Sequence, residues 1–161
     1  MRLRVAGADT PTALGGGSMQ AEMLRRLDQE VLGRVTFLGE LSQEQVQAEI
    51  RACRFQIVPS TVENFAGTAT DAMAAGRAVV YGGHTGLEDV VGDAGLGVWP
   101  LTPEKLCTQM EVLYGNDEVL AACSRRALER IRTRFSFAAV AARRVAFYVA
   151  VHYNIRICGL R

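Results

Sequence analysis

A chain of 161 residues, 49% apolar and 22% charged, has the length of one ordinary domain and can bury a sizeable core. That apolar fraction excludes disorder, and a net charge of +1 excludes bulk electrostatic attraction to nucleic acid. The longest uninterrupted apolar run, Val145 to Val151, falls well short of the ~20 residues of a membrane span. Met1 to Val5 leads straight into a strand-like run without a signal-peptide core, so the expected location is the cytoplasm.

In chain order, Leu3 to Gly7 reads as a short strand. A glycine-rich stretch through Gly15-Gly16-Gly17 follows, then Ser18 as an N-cap. Met23, Leu24, Leu27 and Val31 share a face, which predicts one helix over 19–32 with Gly33 as its stop. Val35 to Gly39 is the second strand. Ser42 and Gln45 form a capping box for a helix to about Cys53. Phe55 to Val58 is the third strand, and a small-residue helix over 68–75 is closed by Gly76. Ala78 to Tyr81 is the fourth strand. Thr85 caps a short helix through Val91, and Gly95 to Trp99 is the fifth strand. Pro103 opens a helix to Tyr114, and helices over about 117–133 and 136–153 finish the pattern. Strands alternating with helices predict βαβ units. The expected architecture is a Rossmann-like α/β/α domain of three layers with a mainly parallel sheet, residues 1–153, followed by a tail, 154–161.

The four cysteines, Cys53, Cys107, Cys123 and Cys158, form no CxxC pair and have no histidine at ligand spacing. They read as thiols of a reducing compartment, with no metal site and no cofactor expected. Charge is uneven: residues 1–123 balance at −7 and residues 124–161 at +8. The basic stretch includes Arg125, Arg126, Arg130, Arg132, Arg134, Arg143 and Arg144. It reads either as a solvated helix face or as a contact for an acidic partner or an anionic membrane surface.

In an open α/β sheet, ligands bind beyond the carboxyl ends of the strands. The informative end is Pro59 to Gly67. Glu63 lies in a loop before a helix, and the backbone of residues 65–67 supplies N–H groups where that helix begins. Asp71 follows eight residues after Glu63. By spacing alone these are either a solvated acid and a helix-dipole partner, or a row that holds a sugar hydroxyl, a diphosphate and a ribose. His84 reads as a loop histidine or a sugar contact. Glu88 reads as a helix-start acid, and Trp99 as packing or a stacking platform. The Val145 to Val149 stripe reads as a packing face.

The run Val35-Thr36-Phe37-Leu38-Gly39, then Phe55 to Ser60, then Glu63-Asn64-Phe65-Ala66-Gly67 through Asp71-Ala72-Met73-Ala74-Ala75-Gly76 to Val80, resembles the C-terminal domain of the group 1 (family 4) glycosyltransferases. Gly83, Glu88-Asp89-Val90-Val91 and Phe135-Ser136-Phe137 extend the likeness over about residues 1–150. The resemblance implies one half of a GT-B fold, the half that binds a nucleotide-diphosphate sugar. Transfer to a carbohydrate or lipid-linked acceptor would retain anomeric configuration and need no metal. It implies that Glu63 meets the donor sugar as the catalytic residue and that Asp71 takes the ribose. Asn64, Phe65, Ala66 and Gly67 would approach the sugar and diphosphate, and Gly39, Glu40 and Leu41 would line the base pocket. Asp71 stands where the family has Glu, and Ala66 where it usually has Gly. The family's phosphate-binding Arg and Lys and its acceptor domain have no counterpart in this sequence, so the implied enzyme is completed by an acceptor-binding domain in cis or trans. The alternative is a non-catalytic nucleotide-sugar-binding or interaction module. The resemblance implies a nucleotide sugar as partner; peripheral contact with a membrane stays one reading of the basic last segment, and no nucleic acid is expected.

Overall fold

A computed structural model describes residues 1–13 and 15–157. It divides into two compact units, Met1–Ala52 and Cys53–Arg161. The first unit holds β1 (Leu3–Ala6), α1 (Met19–Arg25), α2 (Gln29–Leu32), β2 (Val35–Gly39) and α3 (Gln43–Ala52). β1 and β2 pair in parallel, Leu3 against Val35. Polar bonds do much of the fixing here. The Ser18 Oγ accepts the Ala21 N–H at 2.8 Å, Asp9 accepts the Gln20 N–H at 2.9 Å, and Arg4 grips Glu49 with two bonds of 2.6 Å. The capping box of α3 forms as expected, with Ser42 N–H donating to Gln45 Oε1 at 2.8 Å and Gln45 N–H to Ser42 Oγ at 3.3 Å.

The single helix expected over 19–32 is two. The Arg26 and Leu27 N–H groups turn back to Met23 and Leu24, and Asp28 is extended. Neither α1 nor α2 buries a residue, so no full burial offsets the aspartate's weak propensity for a continuous helix.

The second unit runs β3 (Phe55–Val58), α4 (Gly67–Ala74), β4 (Ala78–Gly82), α5 (Gly86–Val91), a 3-10 turn over Gly92–Ala94, β5 (Gly95–Val98), α6 (Pro103–Gly115), α7 (Asp117–Arg130), a π-helical turn over Ile131–Phe135 and α8 (Phe137–Ile157). Its three strands are parallel in the order β3-β4-β5. The α/β class with parallel pairing and flanking helices is thus the one the alternating pattern demands. β4 is buried from end to end. Ala78 and Val80 pack with Val98, Leu113 and Cys123, and strand alternation turns Val79 and Tyr81 to the opposite face. Burial pushes the Tyr81 phenol above its ordinary pKa, with Glu88 adding to the effect. Arg130 of α7 donates to the Asp89 and Val90 carbonyls at 2.7 and 3.2 Å, closing the C-terminal end of α5 with a cation.

α8 continues through Ile157, into the segment read as a tail, and residues 158–161, with Cys158, lie outside the described residues. No disulfide joins Cys53, Cys107 and Cys123. From Ala142 to Tyr153 every residue of α8 is exposed. The helical stretch Asp117–Tyr153 also corrects the reading of apolar runs. It contains an 18-residue window of mean hydropathy 1.2 with none of it buried, long and apolar enough by composition alone to cross a membrane. Counting uninterrupted runs missed it, because Arg143 and Arg144 divide a stretch that a helix joins.

Candidate functional site

Parallel pairing gathers the carboxyl ends of β3, β4 and β5 on one edge. The loop leaving β3 there is seated on the turn leaving β4, and two glycines permit it. A Cβ on Gly82 would stand 2.1 Å from the Ser60 carbonyl oxygen, and one on Gly86 would stand 2.0 Å from that of Asn64. Neither approach tolerates a side chain. The Gly86 N–H then donates to the Glu63 carbonyl at 2.7 Å, which pins the acid-bearing loop at the start of α5.

The same loop enters α4 with an open N-terminus. Ala66 is the N-cap residue but has no side-chain oxygen to bond the first amides, and the first turn of α4 carries no acid. The Ala66 carbonyl accepts from Ala69 and Thr70 at 3.1 and 3.2 Å, so the helix is properly wound while its leading N–H groups stay available. Gly67 is exposed, with open space where a Cβ would stand. Ala69, Ala72 and Met73 turn inward and are fully buried. Asp71 lies on the opposite face, exposed, one turn beyond Gly67. Glu63 is half-buried, and Asn64 and Phe65 are exposed. The Phe65 ring meets Phe135 edge-on with centroids 5.9 Å apart.

One loop-and-helix element therefore carries Glu63, Asn64, Phe65, Ala66, Gly67 and Asp71. Gly39, Glu40 and Leu41 belong to the Met1–Ala52 unit. There Gly39 ends β2 in the left-handed region at φ 68°, and its carbonyl accepts the Gly7 N–H at 2.9 Å. Glu40 is exposed and Leu41 half-buried. Among the described residues no cluster of three His, Cys, Asp or Glu side chains is arranged to hold a metal ion.

Two ring contacts at the edge were not foreseen. Besides Phe65 against Phe135, His84 lies against Trp99, with centroids 4.7 Å apart. The usable signal was positional, since His84 and Trp99 each follow a strand end, and parallel neighbours bring such ends together. Glu88, read as a helix-start acid, also accepts the His84 backbone N–H at 3.2 Å.

A parallel α/β unit with an open helix N-terminus and two acids at its carboxyl edge is a half of the Rossmann-like kind. The chain belongs to the family described as glycosyl transferases group 1, whose model matches residues 2–116. Among curated proteins no sequence match is found. Among solved structures, sucrose-phosphate synthase from Thermosynechococcus elongatus is 25% identical with a TM-score of 0.75, over 95% of this chain and 39% of that one. HepE from Anabaena, in complex with UDP, is 19% identical with a TM-score of 0.75, over 93% of this chain and 41% of that one. The C-terminal domain of a group 1 glycosyl transferase, LpcC, from Francisella tularensis is 19% identical with a TM-score of 0.68, over 80% and 66%. The last two likenesses concern the fold. The chain thus matches one half of GT-B glycosyltransferases and spans about two fifths of the length of the first two.

Proposed function

We propose that the chain is the donor-binding half of a retaining glycosyltransferase, which transfers a sugar from a nucleotide-diphosphate sugar to a carbohydrate or lipid-linked acceptor. The observation that carries this reading is the open N-terminus of α4, flanked by Glu63 and Asp71. Leading amides with no side-chain cap and no acid in the first turn suit a diphosphate, and the helix dipole favours its charge. Asp71, one turn along the exposed face, accepts hydrogen bonds from the ribose hydroxyls. Glu63, pinned through its carbonyl, meets hydroxyls of the donor sugar near the reacting carbon.

In this reading the α4 amides bind the diphosphate and stabilise the negative charge that grows on it as the glycosidic bond breaks. No metal or other cofactor is needed for that step. The acceptor-binding half, in cis or trans, completes the site and covers apolar residues of α8. That UDP accompanies HepE, a neighbour by fold, supports the donor class. We place the protein in the cytoplasm, peripheral to the membrane, with the arginines of its last segment against anionic lipid. Flotation with phosphatidylglycerol vesicles that is lost at high salt would support that placement, and absent or salt-independent binding would remove it.

Calorimetry tests the donor reading. UDP-, GDP- and ADP-sugars are titrated into the chain, and one of them should bind. Removing one hydrogen-bonding acid, by Glu63→Ala or Asp71→Ala, should weaken binding about tenfold or more. Absence of binding by all three rejects the reading. Binding without transfer, once an acceptor-binding half is supplied, favours the non-catalytic module, a reading the Asp71 and Ala66 departures also support.

A further inference from the structure

The carboxyl edge of the three-stranded sheet carries a second feature beside the acid-bearing loop. The Gly83 N–H donates to the Val98 carbonyl at 2.9 Å. That bond holds the residues just past β4 and β5 side by side. The His84 imidazole and the Trp99 indole meet there with centroids 4.7 Å apart and planes tilted by 53°. Packing for stability does not explain the pair. His84 is exposed, and Trp99 leaves 60% of its surface open, although an indole contributes to a core only when covered.

The pair is nevertheless held in place. His84 sits in the left-handed region at φ 54°, the one non-glycine residue with positive φ among those described. Its N–H is taken by the Glu88 carboxylate at 3.2 Å, and Thr85 Oγ1 donates to the Gly82 carbonyl at 2.9 Å within the same turn. On the other side, the Lys105 ammonium donates to the Trp99 carbonyl at 3.1 Å. A strained turn that maintains an exposed aromatic surface is better suited to a ligand than to folding. The ligand side is also indicated, because Gly86, which ends this turn, bonds the Glu63 carbonyl.

We propose that His84 and Trp99 form a platform on which a pyranose ring stacks, with the imidazole bonding one of its hydroxyls. The proposal rests on the donor-binding reading of the Glu63 loop and adds what discriminates the saccharide. A pyranose presents C–H groups on its face and hydroxyls around its rim. The electron-rich indole face attracts the C–H groups, and the imidazole and Glu63 remain for the rim. The ring belongs either to the nucleotide sugar or to the end of a saccharide acceptor.

Trp99 is the only tryptophan, so emission excited selectively from tryptophan, away from the four tyrosines, reports on this surface. The probes are UDP-glucose, GDP-mannose and ADP-glucose, the matching nucleoside diphosphates, and maltose. A saccharide-bearing probe should shift the emission and the matching diphosphate should not. A shift with nucleotide sugar assigns the donor ring, and a shift with maltose alone assigns the acceptor ring. By calorimetry, Trp99→Leu and His84→Asn should each weaken that saccharide probe about tenfold while diphosphate affinity stays within about twofold, the size expected of lost aromatic stacking. Trp99→Phe should retain most of the affinity. Asparagine tolerates the left-handed backbone, and circular dichroism melting checks that each variant folds. Unchanged saccharide binding in both variants, or emission unmoved by every saccharide, overturns the platform. If diphosphates still bind and Asp71→Ala still weakens them, only the platform falls. If wild type binds no nucleotide, both readings fall.

Discussion

α4 with β4, and α8, are built from similar apolar residues and have opposite fates. Ala69, Ala72, Met73, Val79 and Val80 are fully buried, whereas Val145, Phe147 and Tyr148 keep 61%, 63% and 66% of their surface exposed. α4 is small and apolar on one side and exposed on the other, so it has one way to pack and leaves the other side open. α8 is apolar around its circumference, apart from Arg143, Arg144, His152, Asn154 and Arg156. Composition sets the tendency to leave water, but a facing surface decides whether burial occurs.

The sharpest way to break this contrast is truncation at both places. Met73→Ala should cost about 2–5 kcal/mol in urea unfolding, because it opens a cavity where nothing is exposed. Phe147→Ala should stay within about 0.5 kcal/mol. Equal losses would mean that α8 packs as tightly as α4. Next in size is Gly86→Ala. Its Cβ would meet backbone at 2.0 Å, so the loop must shift, which should cost about 1–3 kcal/mol and also reduce nucleotide-sugar affinity in calorimetry.

A smaller and opposite effect is expected at the N-cap of α4. Ala66→Ser supplies the missing oxygen and should stabilise the chain by about 1 kcal/mol in the same unfolding assay. Because that oxygen competes for the amides proposed to bind the diphosphate, nucleotide affinity should fall as stability rises. The smallest effect concerns Asp9, in a region held by polar bonds instead of burial. The Ser18 hydroxyl and then the Gln20 amide lower its pKa below 3.8. A lowered folded-state pKa gives stability that is present above the unfolded value and lost as pH falls through the folded one. Asp9→Asn should therefore flatten the melting temperature's decline below about pH 4 and leave its slope near neutrality unchanged.

Much of the fold was legible because periodicity is local. The capping box at Ser42 and Gln45, the proline at the start of α6 and the glycine after α4 need only neighbouring residues to act. The break at Asp28 was not legible, since a weak helix former is tolerated or expelled according to whether its face is covered. The site divides the same way. Glu63 and Asp71 stand out by spacing and by resemblance. The open cap of α4 was visible as an alanine at 66, but only the structure shows that this alanine is the N-cap residue.

The order of strands and helices, the family, and the acids in α4 and the loop before it follow from residues close in the chain. Which of those residues meet is a different matter. Gly82 against Ser60, Gly86 against Glu63 and His84 against Trp99 join segments that only parallel pairing of β3, β4 and β5 brings together. Local preferences act within a turn or two, whereas contacts across strand ends exist only after the sheet has formed.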